Sequence, residues 1–218
     1  MINSVCIFGD SLSKGVVFDE VGERYMFTKA CFANQIQASS NIVVTNYSKF
    51  GSTITKGLST MSKHKMELKN YDYIVLEFGG NDCDFDWKDI SINPQQEHNP
   101  KTPIPLFIKK YTEMISEVIR NGGNPIVFTL PPIDSKRYFS WISRGLNGKN
   151  ILKWLGDVGT IYNWHEKYNQ AVCQIAEKAK IPLIDITSEF LKRTDFNQLL
   201  CKDGIHINEK GHELIGVY

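Results

Sequence analysis

Ser4-Val5-Cys6-Ile7-Phe8-Gly9-Asp10-Ser11-Leu12 is the stretch that decides the fold. Four consecutive apolar residues, Val5 to Phe8, run directly into a glycine, an aspartate and a serine. A short apolar run without polar alternation suits a strand covered on both faces, as in a parallel sheet. A serine just beyond such a strand is presented at the carboxyl edge of the sheet, where open α/β folds gather their ligand sites. Four more runs share this character, at 42–46, 73–78, 126–130 and 183–186, beside the first at 4–8. All are rich in Val, Ile, Leu and Phe and end near Gly, Pro, Asp or Asn.

Helical patterns lie between them. Residues 105–121 place Phe107, Ile108, Tyr111, Ile115, Val118 and Ile119 on one stripe, and Gly122-Gly123 stops the helix. Residues 157–180 place Ile161, Trp164, Tyr168, Val172, Ile175 and Ala179 at helical spacing. Asn208 reads as the cap of a short last helix that carries Leu214, Ile215 and Val217 and in which the chain ends. Weaker helical signals cover 24–38 and 53–63. Alternating β and α elements imply an open α/β sheet with right-handed crossovers. At 218 residues the expectation is one domain, 1–218.

The totals narrow the class. Lys plus Arg is 25 and Asp plus Glu is 24, a net charge of +1, which argues against a dedicated nucleic-acid binder. Five cysteines, none in a Cys-x-x-Cys pair, suit neither zinc nor a disulfide framework and read as reduced, packed thiols. No basic leader precedes an apolar stretch, and no apolar run reaches membrane-spanning length. The expectation is therefore a cytoplasmic protein without stable membrane insertion.

Two connections break the rhythm, 82–105 and 131–156, and loops this long are usually functional or disordered. The second is dense in large apolar residues: Tyr138, Phe139, Trp141, Ile142, Leu146, Ile151, Leu152, Trp154 and Leu155, with Arg137, Arg144, Lys149 and Lys153 interleaved. At about 136–156 it reads equally as a helical cap, with Trp141 and Trp154 shaping a substrate pocket, or as a face packed on the domain or on a second subunit.

Nearly two hundred residues after Ser11 comes Asp203-Gly204-Ile205-His206. A serine hydroxyl is a poor nucleophile without a base in hydrogen-bond reach. Of five histidines, only His206 follows a carboxylate by three residues in a glycine-containing turn after the last strand. Asp203 can hold one ring nitrogen and leave the other to face Ser11. Alone, Asp-x-x-His is an ordinary surface turn; beside Ser11 it supplies what acyl transfer needs.

At these residues the chain resembles the SGNH hydrolases, also called GDSL-type lipases and esterases. Gly9-Asp10-Ser11-Leu12 resembles their nucleophile block and Asp203-Gly204-Ile205-His206 their acid–base block. Asn46 followed by Phe50-Gly51-Ser52 resembles the block that supplies an oxyanion-hole glycine. Gly79-Gly80-Asn81-Asp82 resembles the block that supplies an oxyanion-hole asparagine. Four blocks in the family's order span essentially the whole chain. The resemblance implies a flavodoxin-like three-layer α/β/α sandwich around a mainly parallel five-stranded sheet, and acyl-ester hydrolysis with no cofactor and no metal.

The residues support those roles. The backbone N–H groups of Ser11 and Gly51 and the amide of Asn81 are three candidate donors to the negative oxygen of a tetrahedral intermediate. Gly51 lacks a Cβ, so its backbone can approach a substrate. Taken singly, Gly51 and Asn81 are ordinary turn residues. Asp10 and Asp82 read as acceptors that brace their loops. Cys83 reads as a packed thiol, and His64, His98, His165 and His212 as surface or packing residues.

Three other classes compete. A nucleotide or flavin binder would carry a phosphate cradle after the first strand. Ser11, Ser13 and Lys14 are present there, but Asp10 brings a negative charge, and neither Gly-Lys-Ser/Thr nor Gly-x-Gly-x-x-Gly occurs. An α/β-hydrolase needs Gly-x-Ser-x-Gly, which is absent. A non-catalytic binding module would be expected to lack one of Ser11, Asp203 and His206, and all three are present. The reading is a serine hydrolase of small carboxylic esters, short-chain acyl or acetyl. Lysophospholipids, thioesters and acetylated carbohydrates are the alternatives.

Overall fold

A computed structural model describes residues 2–216. Along the chain, β1 (Ser4–Gly9) turns through the single-turn α1 (Ser11–Lys14) into β2 (Val16–Asp19) and β3 (Arg24–Phe27). There follow α2 (Phe32–Ser39), β4 (Val43–Asn46), α3 (Ile54–Ser62), β5 (Tyr73–Glu77), α4 (Trp87–Ile92) and α5 (Ile104–Arg120). The second half holds β6 (Pro125–Phe128), α6 (Ser135–Ile142), α7 (Gly148–Leu155), α8 (Gly159–Ala179), β7 (Leu183–Ile184), α9 (Ile186–Leu191) and α10 (Glu209–Gly216).

β4, β1, β5, β6 and β7 form one sheet in that order, and every neighbouring pair is parallel. The pleat explains why these strands carry unbroken apolar runs. Cys6 and Phe8, with Ile74 and Leu76 beside them, pack on one face against Ile54 and Met61 of α3, Tyr111 and Ile115 of α5 and Val172 of α8. Ile7 and Val75 point the other way, against Phe32 of α2, Phe190 of α9 and Ile215 of α10. Helices on both faces of a parallel sheet make the three-layer α/β/α sandwich that the family resemblance implies.

The sheet starts at β1, adds β4 on one side, then returns to add β5, β6 and β7 on the other. Chain direction across the sheet therefore reverses beside β1. In open α/β folds, that crevice beyond the carboxyl ends of the strands is where ligands bind. Ser11 follows β1 and Asn81 follows β5, so both lie at the reversal.

Two readings are corrected. Residues 24–38 are not one helix: β3 occupies the first part and pairs antiparallel with β2 as a hairpin outside the main sheet. Helix begins only at Phe32. Residues 82–105 are not a plain loop either, and the long connection 131–156 is largely helical. They contain α4, and α6 with α7, and pack on each other around Phe85, Trp87, Ile90, Tyr138, Ile151 and Leu155. These segments leave the same edge of neighbouring strands, so each offers the other an apolar face. The expected cap on the last helix is present, since Asn208 Oδ1 accepts from Gly211 N at 3.1 Å. Leu214 and Ile215 lie on that helix, and Val217 lies outside the described residues.

Candidate active site

Ser11 opens α1 immediately past β1. Asp10 holds that turn: its Oδ1 accepts from Leu12 N at 2.9 Å. The hydroxyl of Ser11 lies 2.9 Å from His206 Nε2, and His206 Nδ1 lies 2.6 Å from Asp203 Oδ2. Ser11, His206 and Asp203 are 8%, 7% and 0% exposed, so the chain of hydrogen bonds is shielded except at the serine end. Ile205 N and His206 N both donate to Asp203 Oδ1 at 3.1 Å, which closes the Asp-x-x-His turn around its own carboxylate. Gly204, at φ 78°, supplies the left-handed residue this turn requires.

Burial alone would raise the Asp203 carboxyl. The His206 hydrogen bond, its charge and the two backbone donors outweigh burial and hold Asp203 below the ordinary carboxylate value. An ionised carboxylate only accepts, so the hydrogen between the two residues belongs to Nδ1. Nε2 is then a free acceptor facing the Ser11 hydroxyl. This is the tautomer a general base needs.

The other predicted residues converge on the same point. Tyr47 N and Lys49 N continue the pairing of β4 along β1, to Ile7 O and Gly9 O, and carry the following turn to the serine. Gly51 sits in that turn at φ 68°, and a Cβ there would meet nothing within 4 Å, so its backbone borders open cleft. Asn81, in the lining of the cleft, donates through Nδ2 to Asp10 Oδ2 at 2.8 Å, which fixes the amide. Among the described residues, Ser11 N and Gly51 N make no hydrogen bond within the protein. Asp82 accepts from Ile54 N at 3.1 Å and braces the start of α3.

The cleft encloses about 450 Å³. Ser11, His206, Gly51 and Asn81 line it, together with the aromatic residues Tyr25, Phe50, Trp87, Tyr138 and Trp141. Of the two tryptophans expected at the pocket, the structure brings only Trp141 to the cleft. Trp154 packs 5.1 Å from Phe85 and 5.0 Å from Trp164, in the apolar cluster around Phe85. His165 and His212 are buried, and burial pushes each down to about 4, so both are neutral; His212 is a packing residue, whereas His165 also borders the cleft. Cys83 donates its thiol to Gly80 O at 3.3 Å, and burial pushes that thiol well up.

Three contributors were not anticipated. Glu77, the last residue of β5, is buried beneath the serine turn and accepts from Asp10 N (3.2 Å), Ser13 N (3.3 Å) and Ser13 Oγ (2.9 Å). Burial, then the neighbouring Asp10 carboxylate, pushes Glu77 well above the usual range. A charged residue within the apolar run of β5 was its signal. Asp84 takes Trp87 Nε1 at 2.8 Å and the Tyr138 hydroxyl at 2.6 Å on one oxygen, and Lys101 Nζ at 2.7 Å on the other. Tyr25 donates to Asp203 Oδ2 at 3.0 Å from a hairpin that the sequence did not reveal.

Residues 7–214 match the model of the GDSL-like Lipase/Acylhydrolase family. A lipase/acylhydrolase from Enterococcus faecalis superposes with a TM-score of 0.70 at 19% identity, covering 99% of this chain and 92% of its own. A carbohydrate acetylesterase from Sinorhizobium meliloti gives 0.67 at 14% identity, covering 98% and 94%. A psychrotrophic esterase from Pseudoalteromonas sp., in a structure inhibited by monoethylphosphonate, gives 0.60 at 17% identity, covering 99% and 93%. At these identities the likeness is one of fold. No curated protein matches the chain.

Proposed function

The chain belongs to the GDSL-like lipase/acylhydrolase family and is an esterase or acyl hydrolase, and from that premise we propose that Ser11, His206 and Asp203 are its catalytic triad. The observation that carries this is the unbroken run Asp203 Oδ2, His206 Nδ1, His206 Nε2, Ser11 Oγ, with steps of 2.6 and 2.9 Å across the ring, opening on the cleft.

Ser11 Oγ attacks the acyl carbonyl while His206 Nε2 takes its proton. Ser11 N, Gly51 N and the Asn81 amide donate to the oxyanion that forms. Collapse of the tetrahedral intermediate expels the alcohol, which leaves with the proton from His206. The acyl group now rests on Ser11 as an ester. Water enters, gives a proton to His206 and attacks the same carbonyl; a second collapse releases the acid and restores the serine. Asp203 stays ionised throughout and stabilises the imidazolium in both halves.

The substrate is a small carboxylic ester with a short or acetyl acyl group. The cleft volume, near the lower end of ordinary ligand pockets, supports this. Residues 136–156 act as a wall of that cleft within one domain, 1–218, through Tyr138 and Trp141.

The test is hydrolysis of p-nitrophenyl esters from acetate to long-chain acyl, with Ser11→Ala alongside. Acetate and other short esters should turn over fastest, and the variant should be inactive and refractory to a fluorophosphonate that labels the wild type. Wild-type activity that peaks at long chains would refute the short-acyl reading. Activity surviving in Ser11→Ala would refute the nucleophile.

A further inference from the structure

Resting on the triad proposed above, we propose that Tyr25 is a positioning residue: its hydroxyl shares the Asp203 carboxylate with His206 and limits how tightly that carboxylate holds the histidine's proton.

The geometry is specific. Asp203 Oδ2 receives two side-chain donors at once, His206 Nδ1 at 2.6 Å and the Tyr25 hydroxyl at 3.0 Å. Oδ1 is occupied separately by the backbone N–H groups of Ile205 and His206. The tyrosine and the histidine therefore compete for the electron density of one oxygen. The Tyr25 ring lies 5.0 Å from the His206 ring and contacts Phe50 at 5.3 Å and Trp141 at 5.9 Å, so the phenol is held on several sides.

The hairpin that carries Tyr25 is itself anchored to the site. Phe18 of β2 packs edge-on to Trp141 at 4.7 Å, and Phe18 N donates to Cys201 Sγ at 3.4 Å, two residues before Asp203. Thr28 N donates to Gly15 O at 2.8 Å, joining the end of the hairpin to the serine turn. Tyr25 thus ties the turn that bears Ser11 to the turn that bears Asp203 and His206. Burial, then the Asp203 charge, pushes the phenol up, so it remains a donor wherever the enzyme is assayed.

A donor on Oδ2 withdraws charge from the atom that faces Nδ1. Without it the carboxylate holds the Nδ1 hydrogen more strongly, the imidazolium is favoured, and His206 gives up its proton at a higher pH. The other titratable groups that sense His206 are Asp10, at the end of β1, and His212 of α10, while Cys201 borders Tyr25 and Asp203. Tyr25→Phe leaves all of them in place. A difference between the two proteins is then due to the hydroxyl.

The experiment compares wild type and Tyr25→Phe by NMR titration of the His206 imidazole, which needs no turnover, and by the pH profile of kcat/KM on p-nitrophenyl acetate. In the variant both the His206 titration and the acid limb should move up by about 0.3–1 pH unit, the range of one hydrogen bond. Because the ring stays in the wall, KM should remain within about twofold, while kcat on the acid limb falls because more of the base is protonated there. Installing 3-fluorotyrosine at position 25, a stronger donor of nearly the same shape, should move the titration down. A His206 titration that is the same in all three proteins overturns the proposal. A titration that moves as expected in protein that hydrolyses no ester and takes up no fluorophosphonate upholds the coupling and refutes the esterase mechanism instead.

Discussion

Asn81→Ala tests the oxyanion arrangement most directly. The Asn81 amide has two N–H groups; Asp10 Oδ2 takes one at 2.8 Å, and the other is free to meet substrate. Removing one such donor costs about 10²–10³ in kcat, equal to about 2.7–4 kcal/mol of transition-state stabilisation. KM should stay within a few-fold, because the donor is aimed at the oxyanion and not at the ground-state carbonyl. The truncation also strips a donor from Asp10, a carboxylate only 4% exposed. That loss should cost about 1–3 kcal/mol of stability, and in a chain of this length each kcal/mol lowers Tm by about 2–4 °C. Kinetics on p-nitrophenyl acetate, run well below the variant's Tm, separate the two effects. Asp10→Ala completes a double-mutant cycle: if Asp10 aids catalysis by aiming the amide, its removal should cost much less rate once Asn81 is gone, with coupling of about 0.5–3 kcal/mol. A folded Asn81→Ala enzyme with kcat within threefold of wild type, or a loss carried wholly by KM, would refute the assigned role.

Two further perturbations address the frame of the site. Burial pushes the Asp82 carboxyl up to about 7 against the donors Thr102 and Ile54 N. The folded state then binds more protons than the unfolded one, so the contribution of Asp82 is complete below the unfolded carboxylate value and is lost as pH rises to about 7. About three pH units at 1.36 kcal/mol each is roughly 4 kcal/mol. Asp82→Asn keeps an acceptor for Ile54 N and should gain on wild type in urea unfolding between mildly acidic and mildly alkaline pH; parallel stability curves would contradict this. His165 and His212 slope the other way, losing stability as pH falls toward about 4, but equally in both proteins. Gly204→Ala should lower Tm and kcat together, because φ is 78° and the new Cβ would lie 2.6 Å from Asp134 O and 2.8 Å from Tyr138 N. An alanine variant with wild-type Tm and kcat would mean that the Asp203–His206 turn and α6 can separate freely.

Much of this architecture is legible in the chain because the sheet is covered on both faces. Its inner strands must then be largely apolar, and the runs at 4–8 and 73–78 fall within one residue of β1 and β5. α5 and α8 are legible for the same reason, since one face of each meets the sheet and the other meets water. The chemistry is legible because it makes demands at several points at once. A nucleophile requires a base, and a tetrahedral intermediate requires donors. Ser11 and Asn81, far apart in sequence, can be expected at one edge once each is seen to follow a strand, whereas the Asp203–His206 turn does not leave the last strand directly as the sequence suggested but comes after α9, and it is legible from its own spacing of carboxylate, glycine and histidine.

The hairpin obeys neither constraint. β3 is not part of the main sheet, and Met26 and Phe27 are exposed, so its pattern reflects no buried face. Apolar residues at 25–27, 31–33 and 36 imitate a helical stripe. The connecting residues 20–23 lack the Asn-Gly or Asp-Gly pair that marks tight hairpins, and the left-handed position falls on Glu23, at φ 45°. Tyr25 is therefore hidden twice, by a strand that reads as helix and by a role that any hydroxyl at the right point could fill. The tryptophans show the same limit within one segment. Gly145, at φ 69°, lies between α6 and α7 and lets them take independent directions. α6 turns Trp141 to the cleft, while α7 packs with α4 and sets Trp154, half-buried, among Phe85, Trp87 and Trp164. Which aromatic ring meets substrate is thus settled by how two short helices break, a tertiary choice to which composition and spacing are blind.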